Sequence, residues 1–199
     1  MTSSDDEDLT NSMFQEPTGY FKPEQPAKYT SYTLLSGQTL RLRLVGHNPL
    51  WGHYLWNGAR ILSTYLQTHA AHSIHNKTVL ELGAGAGLPS LVAGTLGAEK
   101  VVVTDYPDAE LIDNLKENIR TCSGATNIVA EGYLWGASPA PLLAHLPEPS
   151  SSSSKEGFDI LLLADLLFNH SCHGALVDTI LHTLKRTGEA RALVFFYAV

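Results

Sequence analysis

The residues best suited to chemistry stand in three short stretches, each following an apolar run. The first is TVLELGAGAGLPS, residues 78–90, where Gly83, Gly85 and Gly87 alternate with small residues and Glu81 precedes them by two positions. A glycine loop after a strand lets a ligand lie against the backbone, commonly a phosphate or a nucleoside. The second, VVVTDYP, ends in Asp105, 22 residues after Gly83. The third, ADLLFNHS, sets Asp165, Phe168, Asn169 and His170 close together.

The dinucleotide fingerprint GxGxxG fails here in both registers, because Leu88 or Ser90 occupies the third glycine's place. Glu81 adds a second argument. A carboxylate beside the loop opposes a pyrophosphate and suits a ligand that carries positive charge. S-adenosylmethionine has a sulfonium and an ammonium and no phosphate, and Asp105 stands where a carboxylate accepts the hydroxyls of a ribose. The glycines alone would mean no more than a tight strand-to-helix turn. Glu81 and Asp105 together turn the reading toward a sulfonium cofactor.

Alternating strands and helices must position these groups. YTLLSGQTLRLRLVG alternates Leu40, Leu42 and Leu44 with Arg41 and Arg43 after a Ser36-Gly37 turn, which predicts a β-hairpin. In WGHYLWNGARILSTYL, Leu55, Ala59, Leu62 and Leu66 recur at helical spacing. The order then predicted is VLEL strand, LPSLVAGTLG helix, VVVTD strand and a helix opened by Pro107 over PDAELIDNLKENIR. NIVAEGYLW reads as a strand, FDILLLAD as another, CHGALVDTILHTLKRTG as a helix closed by Gly188, and ARALVFFYAV as a fifth strand. Apolar strands between amphipathic helices imply an α/β fold, a Rossmann-like doubly wound sheet with its ligand at the carboxyl ends of the strands.

Composition narrows the function. The 199 residues, 44% of them hydrophobic, suffice for one domain with a sizeable core. A net charge of −7 without any Lys/Arg stripe argues against nucleic acid and suits a basic partner. Cys122 and Cys172 lack CxxC spacing and read as buried or idle thiols, and the histidines form no credible metal set, so no metal is expected. Residues 1–28 read as a disordered acidic arm and 29–199 as the catalytic domain, with 147–157 a flexible Ser-rich insertion. No signal peptide or membrane span is apparent, which predicts a soluble cytoplasmic protein.

The segments LELGAGAGLPS, VVVTDYP, GYLWG and ADLLFNHS resemble the seven-strand methyltransferases that modify lysines of non-histone proteins. NPLWGHYLWNGA, VVVTDYPDAELIDNLKENI and ADLLFNHS narrow the resemblance to the fungal N-terminal and lysine methyltransferases of elongation factor 1-alpha, over roughly residues 30–198. The resemblance implies S-adenosylmethionine as cofactor and elongation factor 1-alpha as protein substrate: trimethylation of its N-terminal glycine, then methylation of the adjacent lysine. Carried over by position, Glu81, Gly83, Ala84 and Gly85 line the methionine part of the cofactor, and Asp105, followed by Tyr106, holds the ribose. Trp135 covers the adenine or is a core tryptophan, Trp56 reaches the cofactor or packs on the sheet, and Ala164 permits close approach of the adenosine.

In this group the third stretch carries DxxY, and here Phe168 fills the tyrosine slot. An aromatic face remains that can hold an ammonium or a methylated amine. Asp165 would orient or desolvate the amine, with Asn169 beside it, while His170 either accepts a proton or is a surface histidine. The family's sheet continues with a helix and two antiparallel strands beyond the fifth strand. Its expected form is a monomer when full length. The present chain is therefore expected to be a truncated form whose open apolar edge makes it poorly soluble. Transfer to another protein's lysine or to a small molecule, and a non-catalytic cofactor-binding role, are the competing readings.

Overall fold

The computed structural model describes residues 26–69, 71–147 and 157–196. Most of the acidic arm, and residues 148–156 of the serine-rich segment, lie outside the described residues. So do Tyr197–Val199 at the end of the fifth predicted strand.

An antiparallel hairpin opens the described chain, β1 (Lys28–Thr33) with β2 (Thr39–Leu44), in the register Thr30 opposite Leu42. Leu40, Leu42 and Leu44 are buried on one face, as their alternation predicts. Five parallel strands follow: β3 (Thr78–Leu82), β4 (Lys100–Asp105), β5 (Ile128–Gly132), β6 (Ile160–Ala164) and β7 (Arg191–Phe195), in the spatial order β5-β4-β3-β6-β7. β3 is central and buried at every position. Such a strand must be apolar toward both faces, which is why VLEL and ILLLA read as runs without alternation.

Helices cover both faces. On one, α1 (Asn57–His69) and α3 (Leu88–Thr95) pack with Val79, Val101, Ile160 and Leu162 and with the hairpin leucines. On the other, α5 (Ala140–Leu143) and α6 (His173–Thr183) supply Leu142 and Leu176 against Leu80, Val102, Leu161 and Leu163. The short α2 (Ala71–Ile74) follows α1, and α4 (Ala109–Thr121) packs on β4 and β5 and on β2 of the hairpin. Leu62, Leu66, Leu80 and Leu82 are completely buried, each contributing roughly 2 kcal/mol of apolar burial.

Three helix boundaries differ from expectation. α1 begins at Asn57, not near Trp51, because residues 46–56 turn repeatedly and Trp51 is left-handed at φ 58°. α4 is opened by Asp108 rather than Pro107: the Asp108 carboxylate accepts from the N–H groups of Glu110 and Leu111 at 3.0 and 3.3 Å. α6 stops at Thr183, well before Gly188, since Leu184 turns extended, the Phe158 N–H donates to the Thr183 carbonyl and the Lys185 N–H donates to the Phe158 carbonyl. The helix α5 was not anticipated.

Two buried asparagines of α4 lock the hairpin to the sheet. Asn118 accepts from the Arg43 N–H at 2.7 Å and donates to the carbonyls of Arg43 and Ala86, while Asn114 also donates to Arg43. The bond to Ala86 reaches into the glycine loop, so these asparagines help fix the floor of the site. No helix among the described residues is long and apolar enough to cross a membrane.

Candidate active site

At the carboxyl ends of β3, β4 and β6 the chain leaves a cleft of about 270 Å³. Gly83, Ala84 and Gly85 form its floor, Asp105 and Tyr106 follow from β4, Trp135 from the loop after β5, and Ala164, Asp165, Phe168 and Asn169 from β6 and beyond. Trp56 lines it from the segment that leads into α1. Of the predicted set, the fold thus brings eleven residues to one cleft and leaves Glu81 and His170 outside its lining.

The floor depends on glycine for two distinct reasons. Gly83 is left-handed at φ +59°, and a Cβ there would lie 2.6 Å from Leu166 Cδ2 and 3.2 Å from Trp135 Cζ2. Gly85 is also left-handed, at φ +56°, but its missing side chain faces open space. One glycine therefore lets protein pack closely, and the other keeps the surface bare.

Glu81 departs from its expected place in the cofactor wall. It is 1% exposed beneath the loop, and its carboxylate accepts from the Ser90 N–H at 2.9 Å. The physical reason is the start of α3, whose N-cap is Gly87 and offers no side-chain acceptor; Glu81 satisfies one of the orphan N–H groups from below. Burial pushes its pKa up to about 8; hydrogen bonding to Ser90 opposes this, and the neighbouring Asp105 adds to it.

Asp105 takes the N–H of Gly85 at 2.6 Å and that of Tyr106 at 2.7 Å, one on each carboxylate oxygen. Loss of solvation raises its pKa, and these two bonds pull in the other direction. Asp165 is left-handed at φ 55° and receives the Gly58 N–H at 2.6 Å, which caps the first turn of α1 from across the cleft. A Cβ on Gly58 would fall 2.5 Å from that carboxylate oxygen. His170 is exposed in the 3₁₀ turn His170–Cys172, its ring 5.0 Å from His173.

Several lining residues escaped the sequence reading: Leu50, Trp51, Tyr54, Tyr133 and Cys172. Cys172, read from the sequence as a buried or idle thiol, is half-buried and lines the cleft. Trp51 meets Phe168 edge to face at 5.0 Å and 82°, and Tyr54 meets Trp56 at 5.7 Å. The detectable signal was the density of aromatics in NPLWGHYLW, a stretch too rich in Pro and Gly to be helix. Among the described residues, the charged ones lining the cleft are Asp105 and Asp165, and neither Lys, Arg nor His joins them.

A family model described as lysine methyltransferase matches residues 35–197. A protein N-terminal and lysine N-methyltransferase, efm7, of Neurospora crassa is 49% identical over 191 residues, covering 92% of this chain and 67% of the relative. The proteins of that name from Emericella nidulans and Debaryomyces hansenii are 44% and 42% identical, covering 94% of this chain and 73% and 74% of theirs. Among solved structures, the 16S rRNA N2 G1207 methyltransferase of T. Thermophilus, in complex with AdoMet and guanosine, superposes with a TM-score of 0.55 at 18% identity. It covers 80% of this chain and 40% of that one, and it shows the same fold. The sheet order, the cleft and these relatives agree that the chain is a protein methyltransferase and belongs to the lysine methyltransferase family.

Proposed function

We propose that the chain transfers methyl groups from S-adenosylmethionine to the N-terminal glycine of elongation factor 1-alpha and to the lysine beside it. The observation that carries the cofactor is the charge of the cleft: among the described residues, two carboxylates, apolar walls and no cation line it. A phosphate-bearing ligand would find no counter-charge there, whereas a sulfonium and an ammonium would. The bare surface over Gly85 leaves room for the methionine portion and the small Ala164 for the adenosine, and the residues present fit the group.

Gly83, Ala84 and Gly85 would hold the methionine portion and Trp135 the adenine. Each Asp105 oxygen already accepts one N–H; a carboxylate has about four lone-pair sites, so it can still receive ribose hydroxyls. When bound, S-adenosylmethionine supplies a methyl group on a positively charged sulfur, open to in-line attack by a neutral amine. The protein's share is to align that amine and exclude water, which Trp51, Tyr54, Trp56 and Phe168 do around the mouth of the cleft.

An α-amino group, with a reference pKa of about 7.7 to 8.0, is partly neutral near pH 7 and can react without a protein base. A lysine, at about 10.4, must first lose its proton, which an apolar surround promotes. Asp165 lines the cleft while accepting the Gly58 N–H at the start of α1, and His170 lies outside the lining. The names of the relatives, the net charge of −7 and the aromatic mouth support a basic, N-terminal protein acceptor. A cytoplasmic site of action goes with that acceptor.

The test is mass spectrometry of the N-terminal peptide of elongation factor 1-alpha from cells lacking the gene. Loss of its methyl groups is expected, and retention of all of them would overturn the assignment.

A further inference from the structure

We propose that Trp51 and Phe168 form a two-walled aromatic corner that holds the acceptor nitrogen as it gains methyl groups, and so sets how far methylation proceeds. This rests on the reading of the cleft as an amine methyltransferase site. The two rings stand 5.0 Å apart at 82°, so their faces meet nearly at right angles, and both line the cleft. They are 47% and 56% exposed, open to an arriving chain.

The corner is built rather than incidental. Its walls come from segments distant in sequence, and the Gly58 N–H to Asp165 bond at 2.6 Å ties the start of α1, seven residues after Trp51, to the stretch three residues before Phe168. Trp51 is left-handed at φ 58°, which is unfavourable for a bulky residue. Two contacts keep it there: the Trp56 indole N–H donates to the Trp51 carbonyl at 3.2 Å, and the Trp51 N–H donates to the Asn48 carbonyl at 3.0 Å. Among the described non-glycine residues only Trp51, Asn76 and Asp165 have positive φ, and two of the three line the cleft. Strain of this kind is kept where the surrounding structure enforces a required orientation.

The chemistry of repeated transfer explains what such a corner does. In each round the amine lone pair forms the new N–C bond while the S–C bond breaks, its electrons remain on sulfur, and S-adenosylhomocysteine leaves. After the first and second transfers the nitrogen gives a proton to water before it can attack again. Replacing N–H by methyl deprives a hydrogen-bonding site of its donors, whereas an aromatic face attracts the alkylated cation as well or better. Asp105 and Asp165 lining the same cleft favour that charge.

Isothermal titration with S-adenosylhomocysteine present tests this, using synthetic peptides that begin Gly-Lys and carry zero, one, two or three methyl groups on the glycine nitrogen. The wild type should bind the dimethyl and trimethyl peptides more tightly than the unmethylated one. Trp51→Ala and Phe168→Ala should each weaken dimethyl and trimethyl binding by about three- to thirtyfold, with a smaller change for the unmethylated peptide. Trp51→Phe should retain most of the preference. Binding of S-adenosylhomocysteine reports folding of each variant; Phe168→Leu, which keeps bulk without a π face, makes the same test if truncation unfolds the chain. Equal wild-type affinity for all four peptides, or an unchanged preference in the variants, would overturn the corner and leave the acceptor reading standing. A wild type that binds S-adenosylhomocysteine and none of the glycine peptides would overturn the acceptor reading and the corner with it.

Discussion

Replacing Glu81 with Gln should make the protein more stable, and increasingly so as the pH rises. Glu81 is 1% exposed and its pKa is pushed from 4.5 to about 8, first by burial. The folded chain therefore holds this proton more tightly than the unfolded chain, so the contribution of Glu81 to stability falls as the pH climbs from about 4.5 to about 8. Between those limits the loss amounts to roughly 4 to 5 kcal/mol. Glutamine keeps the size and the oxygen that accepts the Ser90 N–H at 2.9 Å, and it has no charge to bury. Glu81→Gln should match the wild type to within about 1 kcal/mol at pH 5 and exceed it by roughly 4 to 5 kcal/mol at pH 9. For a chain of this length the latter is roughly 10 to 15 °C in melting temperature. Asp105 shifts in the same direction, so the quantity to follow is the difference between the two proteins, measured by thermal and urea unfolding from pH 5 to pH 9. A difference that stays flat across that range would mean that Glu81 is not held protonated by its burial.

Gly58→Ala should drive the Asp165 carboxylate off the start of α1, since the new Cβ would sit 2.5 Å from it; urea denaturation should show a loss of about 1 to 3 kcal/mol. Gly83→Ala and Gly85→Ala should separate by the same method. Both incur about 1 to 2 kcal/mol of left-handed strain, but only the former also collides with Leu166 and Trp135. Asp105→Ala should abolish measurable S-adenosylmethionine binding in calorimetry, while Asp105→Asn, which can still accept from Gly85 and the ribose, should retain a weakened affinity.

The sheet could be read from the sequence because the central strands β3, β4 and β6 are apolar runs, and they run into Gly83, Asp105 and Asp165. Glu81 and Asp105 were found by their spacing from Gly83, and the fold brings both beside the loop. What the spacing could not show is which side of the loop Glu81 takes. That depends on α3 having glycine at its N-cap and needing an acceptor from below. The start of α1 was misread because Leu55 happens to fall in phase with Ala59 and Leu62, although Pro49 and Gly52 interrupt the helix before Asn57. The same error hid Trp51 and Tyr54 as cleft residues. The placement of Trp51 follows from a left-handed backbone and a contact with Phe168 more than a hundred positions away, and local periodicity carries no trace of either.

Incubation of the purified chain with S-adenosylmethionine and unmethylated elongation factor 1-alpha, followed by mass analysis of the N-terminal peptide, tests the central claim most directly. Up to three methyl groups on the N-terminal glycine nitrogen and further methylation at the neighbouring lysine are expected, and neither with Asp105→Ala. An unmodified peptide from a chain that binds S-adenosylmethionine, or the same methylation with Asp105→Ala, would contradict it.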